Sequence, residues 1–236
     1  MLETRFLFLE GIMGSGKTTA AWTIAETLQR QGIAARFLAE GPTLDEPAHP
    51  LRVATALPHP NAVWLDISPE AYIERSLALW RTFLEEARSS TTITVCDGLL
   101  FHGNMTDLLL LNAAPEVLRD YITRLLAQIE ELRPALIYLY PADLATALRG
   151  ICERRGPAWE AYQVNWKVGS LYGVARGLSG FAGLLSLYQD YRTLCDDIFA
   201  HLTLPKLAIR NDGDWTAIYK AISAFLSIDV PPPDLP

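Results

Sequence analysis

The sequence predicts an α/β fold built on a doubly wound parallel sheet, and two observations carry that prediction. Five short apolar or β-branched runs alternate with helix-forming sequence. With right-handed crossovers, such alternation gives one parallel sheet covered by helices on both faces. The first run leads straight into Gly11-Ile12-Met13-Gly14-Ser15-Gly16-Lys17-Thr18, a full match to G-x-x-x-x-G-K-[ST], and then into a helix. Strand, glycine-rich loop and helix in that order form a phosphate-binding unit. Alternation by itself leaves the strand order open.

Each element has its own warrant. Phe6 to Leu9 is wholly apolar, as a strand buried on both faces must be. Ala20 to Gln31 is rich in Ala, Leu, Gln and Glu, and Gly32 is placed to end that helix. Ala34 to Ala39 reads as the second strand, closed by Glu40-Gly41-Pro42. From Pro42 to Pro60 the chain carries Pro47, Pro50, Pro58, His49 and His59, a long irregular segment leaving the ligand end of a strand. Ser68 as N-cap and Pro69 at the first helical position open a helix running to about Arg88. Thr91 to Cys96 is the third strand, with Asp97 at its end. A helix is expected from Pro115 to Glu131, and a strand from Pro134 to Tyr140. Ala142 to Arg155 reads as a helix with arginines at its far end, broken by Gly156-Pro157, and Trp159 to Trp166 restarts it. Gly169 to Gly183 holds five glycines and reads as mobile. Leu184 to His201 is amphipathic, Leu204 to Arg210 is the last strand, and Trp215 to Leu226 the last helix. Residues 229–236 are expected to be a disordered tail on a single domain spanning 1–228.

Composition narrows the function. Half of the 236 residues are hydrophobic, enough for a sizeable core. The net charge is −7 and the pI about 5.1, which argues against nucleic acid as a partner. Cys96, Cys152 and Cys195 lack metal-type spacing and read as reduced thiols in a cytoplasmic protein. No secretory leader is expected, because the first apolar run is short. No membrane span is expected either, since a spanning helix needs ~20 apolar residues.

The motif residues define a cofactor site. Gly11, Met13, Gly14, Ser15, Gly16, Lys17, Thr18 and Thr19 form the expected phosphate cradle: glycines let successive N–H groups face one anion, and the helix N-terminus adds positive potential. Lys17 is expected on the β- and γ-phosphates of ATP and Thr18 on Mg²⁺. Asp97 suits the same metal, because an apolar strand ending in Asp places a carboxylate at the ligand edge. It could instead accept the proton of an attacking hydroxyl. Glu10 is acidic in an apolar stretch and needs a partner, either a ligand, a lid arginine or a group within the protein. His102 could line the acceptor pocket, with a structural role the simpler reading. Trp159, Tyr162, Trp166 and Tyr172 could stack on an aromatic acceptor or simply be core.

FLFLEGIMGSGKTT resembles the opening of thymidylate kinases and deoxynucleoside kinases, with Glu10 before the first loop glycine. The resemblance implies the strand order 2-3-1-4-5. It also implies an acidic residue after the second strand, matched by Glu40, which could act as base or bind a substrate hydroxyl. It implies a carboxylate ending the third strand, matched by Asp97. It implies a lid at about 149–183 with phosphate-binding arginines, supplied by Arg149, Arg154 and Arg155, Arg154 being assigned to catalysis. It implies adenine contacts from the loop after the last strand, Asn211 to Asp214. The chain departs from that pattern at Asp97-Gly98, where thymidylate kinases place Asp-Arg, and at Glu40-Gly41-Pro42 in place of Glu-Pro-Gly. The expected activity is therefore Mg·ATP-dependent phosphoryl transfer to a small molecule, a nucleoside or nucleoside monophosphate first. A natural-product kinase of the chloramphenicol-phosphotransferase type and a nucleotide-binding ATPase or switch are the alternatives. A homodimer is left open.

Overall fold

The computed structural model describes residues 3–41, 49–53 and 67–233. Five parallel strands form one sheet in the order β2-β3-β1-β4-β5. They are β1 (Phe6–Glu10), β2 (Ala35–Leu38), β3 (Ile93–Asp97), β4 (Pro134–Pro141) and β5 (Lys206–Asn211). The sheet order is the one expected. The helices are α1 (Lys17–Arg30), α2 (Pro69–Ser89), α3 (Asn104–Leu110), α4 (Pro115–Ile129), α5 (Leu144–Arg155), α6 (Pro157–Gln163), α7 (Leu171–Ala175), α8 (Gly180–His201) and α9 (Trp215–Leu226). A single π-helical turn, Val164–Val168, links α6 to the stretch before α7.

Strand alternation divides the core in two. Phe6 and Phe8 of β1 face one cluster, with α2, α3, α4 and α8, while Leu7 and Leu9 face the other, with α1 and α9. On the first face Trp80 is fully buried among Phe6, Phe8 and Phe83, at ring-centroid distances of 5.8, 6.2 and 6.3 Å. Local signals hold where expected. Ser68 Oγ accepts from the Ala71 N–H at 3.2 Å and Pro69 opens α2. Gly32, at φ +76°, ends α1, and the Ile33 N–H reaches back to Leu28 O at 2.9 Å.

Three expectations are corrected. The short helix α3 was not anticipated, because its first residues, Asn104-Met105-Thr106-Asp107, carry no helical apolar period. It forms because all seven residues are buried and its polar groups find partners. The stretch from Gly169 to Gly183 is packed rather than loose. It forms α7 and the first turn of α8, and a side chain on Gly173 would sit 2.0 Å from Val168 O. Gly169 and Gly173 serve close backbone approach, whereas Gly177 and Gly180 face open space at positive φ. The tail is docked at its start: Val230 is buried, its N–H donates to Ser223 Oγ at 2.9 Å, and Gln31 Nε2 donates to Asp229 O at 3.2 Å. Residues 234–236 lie outside the described residues. All three cysteines are free and buried. No helix among the described residues is long and apolar enough to cross a membrane.

Truncating Trp80 to Ala removes the central ring of the larger core. The expected loss is ~3–5 kcal/mol, read as a drop in the urea midpoint at unchanged slope.

Candidate functional site

Register puts the site at the carboxyl edge of the sheet. Leu9 pairs with Asp97 and Glu10 with Tyr138, so Glu10 and Asp97 end neighbouring strands beside the start of the glycine loop. The loop needs two of its glycines strictly. A side chain on Gly11 would meet Leu139 O at 2.3 Å, and one on Gly16, at φ +89°, would strike the Trp215 ring at 2.1 Å. Asn211 Nδ2 donates to Ser15 O at 2.9 Å, bracing the loop from β5. Ser15 Oγ is buried without a hydrogen-bond partner among the described residues. Met13 packs partly on the larger core, and Thr19 is half-buried in the first turn of α1.

Lys17 is 5% exposed and sits among carboxylates. Its Nζ lies 3.0 Å from Glu40 Oε2. Burial pulls its pKa down, but Glu40 and Asp97 outweigh that and hold it above the usual lysine value. Burial pushes Glu40 up, and its two partners reverse this, leaving it well below the carboxylate range. The other Glu40 oxygen receives His102 Nε2 at 3.2 Å. Burial lowers His102 to about 4, so it is neutral at pH 7 and carries its proton on Nε2. Its Nδ1 is buried without a partner among the described residues. Asp97 is raised by burial, against the pull of Lys17 and a hydrogen bond from Thr18. Asp97 Oδ1 is likewise buried and unpartnered among the described residues.

Glu10 is fully buried, and its partners lie within the protein. Oε1 accepts the Leu100 N–H at 2.6 Å and Oε2 the His102 N–H at 3.1 Å. Burial pushes its carboxyl up to about 8, against those N–H groups and Lys17. Glu10 thereby fixes the turn after β3 that presents His102 to Glu40.

The three arginines of α5 have separate fates. Arg154 Nη2 reaches to 3.7 Å from where a side chain on Gly14 would start, placing its guanidinium over the loop. Arg149 instead pairs with Glu160 at 3.1 Å and covers the Phe181 ring at 3.4 Å. The break at Gly156 turns α6 back along α5, which brings Glu160 to Arg149 and not to a phosphate. Arg155 lies 5.2 Å over the Trp159 ring. Asn211 braces the loop instead of lining the neighbouring cleft. That cleft, 380 Å³ between β5 and α9, is bordered by Tyr140, Arg210, Asp212, Asp214 and Ile218 and contains neither Lys17, Glu40 nor Asp97. Residues 42–48 and 54–66, most of the Pro42–Pro60 segment with His59, lie outside the described residues.

Several site neighbours carry no clear signal in the sequence. Arg52 pairs with Asp107 at 3.0 Å, Tyr72 donates to the same carboxylate at 2.6 Å, and Asn104 Nδ2 holds Leu51 O at 2.7 Å. His49 Nε2 donates to Ala39 O at 2.8 Å. This network ties residues 49–53 to α2 and α3 beside Glu40. Lys167 is buried and donates to the Tyr188 hydroxyl. The usable signal was charge in apolar surroundings: Asp107 before four leucines, and Lys167 between Trp166 and Val168. Trp166 and Tyr162 stack on each other at 5.8 Å, while Tyr172 donates to Asp190.

A scan against family models finds no match, and no curated protein matches the chain.

The Glu10 carboxyl titrates at about 8 in the fold and near 4.5 in the open chain. Between those values the unfolded state has released a proton that the folded state still holds, so stability falls as pH rises. From pH 6.5 to 8, where the ionisation of His102 in the open chain is common to both proteins, wild type should lose up to about 1.4 kcal/mol per pH unit relative to Glu10→Gln. Denaturant midpoints across that window measure it; parallel profiles refute the assignment.

Proposed function

We propose that this chain is a Mg·ATP-dependent phosphotransferase acting on a small molecule, with a nucleoside or nucleoside monophosphate as leading acceptor. The thymidylate kinase-like opening supports that choice of acceptor. The observation that carries the reading is the meeting of Lys17 and Glu40 at 3.0 Å beside Asp97 and Thr18. A loop cation, a metal-type carboxylate and a second carboxylate converge where a γ-phosphate would lie.

The residues present fit a magnesium ion. Asp97 offers a buried oxygen with no partner among the described residues, and the Thr18 hydroxyl is on the same carboxylate. No group of three His, Cys, Asp or Glu among the described residues could ligate a metal. Mg²⁺ commonly takes only one or two protein ligands and completes its shell with phosphate oxygens and water. Thr18 and Asp97 would hold it, and it would supply charge neutralisation on the β- and γ-phosphates.

In this reading the Lys17–Glu40 pair is the resting state. Triphosphate binding draws Lys17 toward the phosphates, and Glu40 loses a cation that depresses its basicity. It can then take the proton of a nucleoside hydroxyl, whereas a nucleoside monophosphate attacks through an ionised phosphate oxygen that needs no base. The bond from the γ-phosphorus to the bridging oxygen breaks as the bond to the acceptor oxygen forms, and ADP leaves. Arg154, over the loop, neutralises charge on the transferred group. Asn211 and Trp215 hold the loop in shape.

ADP release should be measured across nucleosides, nucleotides and antibiotics. Acceptor-dependent release is expected; steady release without any acceptor would identify an ATPase instead. An antibiotic as the sole acceptor would move the chain to the natural-product kinases.

Lys17→Ala should lower kcat by at least about 10²-fold and weaken ATP binding, because a full charge contact is lost. Asp97→Asn should keep most nucleotide binding yet abolish Mg²⁺-dependent transfer. Near-normal turnover in Asp97→Asn would refute its role.

Glu40→Gln should raise the acceptor KM or lower kcat with little change in ATP affinity, and Arg154→Ala should lower kcat chiefly. Steady-state kinetics with each substrate varied separate these effects.

A further inference from the structure

Lys167 is 1% exposed, and its only polar partner among the described residues is the Tyr188 hydroxyl. No carboxylate among them comes within ion-pair distance. The Trp166 and Tyr188 rings lie 4.9 and 4.8 Å from its Nζ, measured to their centroids. A buried ammonium without a counter-charge costs several kcal/mol, so such a group marks a place where function outweighs stability.

Its position is next to the proposed acceptor site. His102, on Glu40, stands edge-on to Tyr191 at 6.2 Å, and Tyr191 stands edge-on to Tyr188 at 6.1 Å. The chain of contacts runs from Glu40 through His102, Tyr191 and Tyr188 to Lys167. The fields of Glu40, Asp107, Lys17 and Arg52 all reach the ammonium. The other buried cations nearby are already matched: Lys17 to Glu40 and Arg52 to Asp107. Among the described residues of this edge, Lys167 alone is left over.

The backbone supports a ligand role. Lys167 sits on the π-helical turn Val164–Val168, a rare insertion that occurs frequently at functional sites. One helical turn earlier, Gln163 Oε1 is buried and unpartnered among the described residues. A buried amide oxygen is ordinarily satisfied within the fold or by a bound molecule.

We infer that Lys167 and Tyr188 form an anion subsite in the acceptor chamber, so the phosphoryl acceptor carries a phosphate ester or a carboxylate. This rests on the phosphotransferase reading and deepens it, favouring a nucleoside monophosphate over a neutral nucleoside or an uncharged antibiotic. Lysine provides the point charge and the tyrosine hydroxyl a second donor.

The test uses the whole chain saturated with Mg·ADP, so that the loop is filled. Thermal midpoints are followed during titration with thymidine, thymidine 5′-monophosphate, the other deoxynucleoside monophosphates, inorganic phosphate and acetate. Anions should stabilise the ADP-loaded protein while thymidine does not. The phosphate and acetate arms separate a phosphate ester from a carboxylate. Lys167→Met should weaken the stabilising anion by at least about tenfold and keep the ADP shift. If that variant does not fold, Tyr188→Phe takes its place, with a smaller loss in the same direction. The inference is overturned if no anion stabilises the ADP-loaded protein, if thymidine does so as well as its monophosphate, or if the variant binds anions as wild type does. Those outcomes with an intact ADP shift leave the phosphotransferase reading standing, whereas absence of any ADP shift removes both.

Discussion

A lysine ammonium buried at the carboxyl edge of a parallel sheet is tolerated only if carboxylates come to it from other elements. Lys17 begins α1, and its charge is balanced by Glu40 after β2 and Asp97 at the end of β3. That requirement links three consecutive βα connections. The loop must hold its shape so that Lys17 points inward, hence the bare Gly11 and Gly16 and the brace from Asn211. β3 must end on a carboxylate in register with Leu9, hence the pairing of Leu9 with Asp97. Glu40 must stay fixed while half-exposed, and it does so by holding Lys17 with one oxygen and His102 with the other.

Glu10 solves a different problem at the same edge. The turn after β3 carries Gly98 at φ +65°, close against the Lys17 side chain, and bare N–H groups that face the interior. An unsatisfied buried N–H costs as much as a lost hydrogen bond. Glu10 satisfies two of them from the neighbouring strand. The cost appears as a carboxyl raised to about 8, a destabilisation accepted because the turn positions His102. The acid before the loop is therefore a scaffold for the opposite side of the site.

Much of the fold was legible because its signals are local. Ser68-Pro69 and Gly32 are capping signals that need only a few neighbours, and the glycine loop is a backbone constraint written in residue types. Asp97 and Glu40 were visible for a similar reason, since each ends a strand or its loop. Arg149 and Arg154 look alike in sequence as basic residues near a helix C-terminus, and only the chain reversal at Gly156 separates the one facing Glu160 from the one facing the loop. Helix α3 and the packed Gly169–Gly183 stretch were missed for the converse reason. Helix α3 is held by burial and distant polar partners, and the glycine stretch by tight backbone contacts at Gly169 and Gly173 and by Tyr172 on Asp190, none of which a local period records.

The same logic explains why the surroundings of Glu40 and Lys167 were the least readable. Its polar groups come from residues 49–53, α2, α3, the π-helical turn and α8, far apart in sequence and each embedded in apolar text. Tyr72, Asn104, Asp107 and Arg52 form a closed set in which donors and acceptors mostly answer one another. A satisfied network of that kind rigidifies the wall it belongs to. At this edge Asp97 Oδ1, His102 Nδ1, Ser15 Oγ, Arg52 Nε and Gln163 Oε1 are buried without a partner among the described residues, and Lys167 has only the Tyr188 hydroxyl. Protein interiors leave few such groups unmatched unless something else enters. In the proposed reading, the division between a mostly satisfied wall and these open polar atoms separates the part of this edge that holds the fold from the part that receives a ligand.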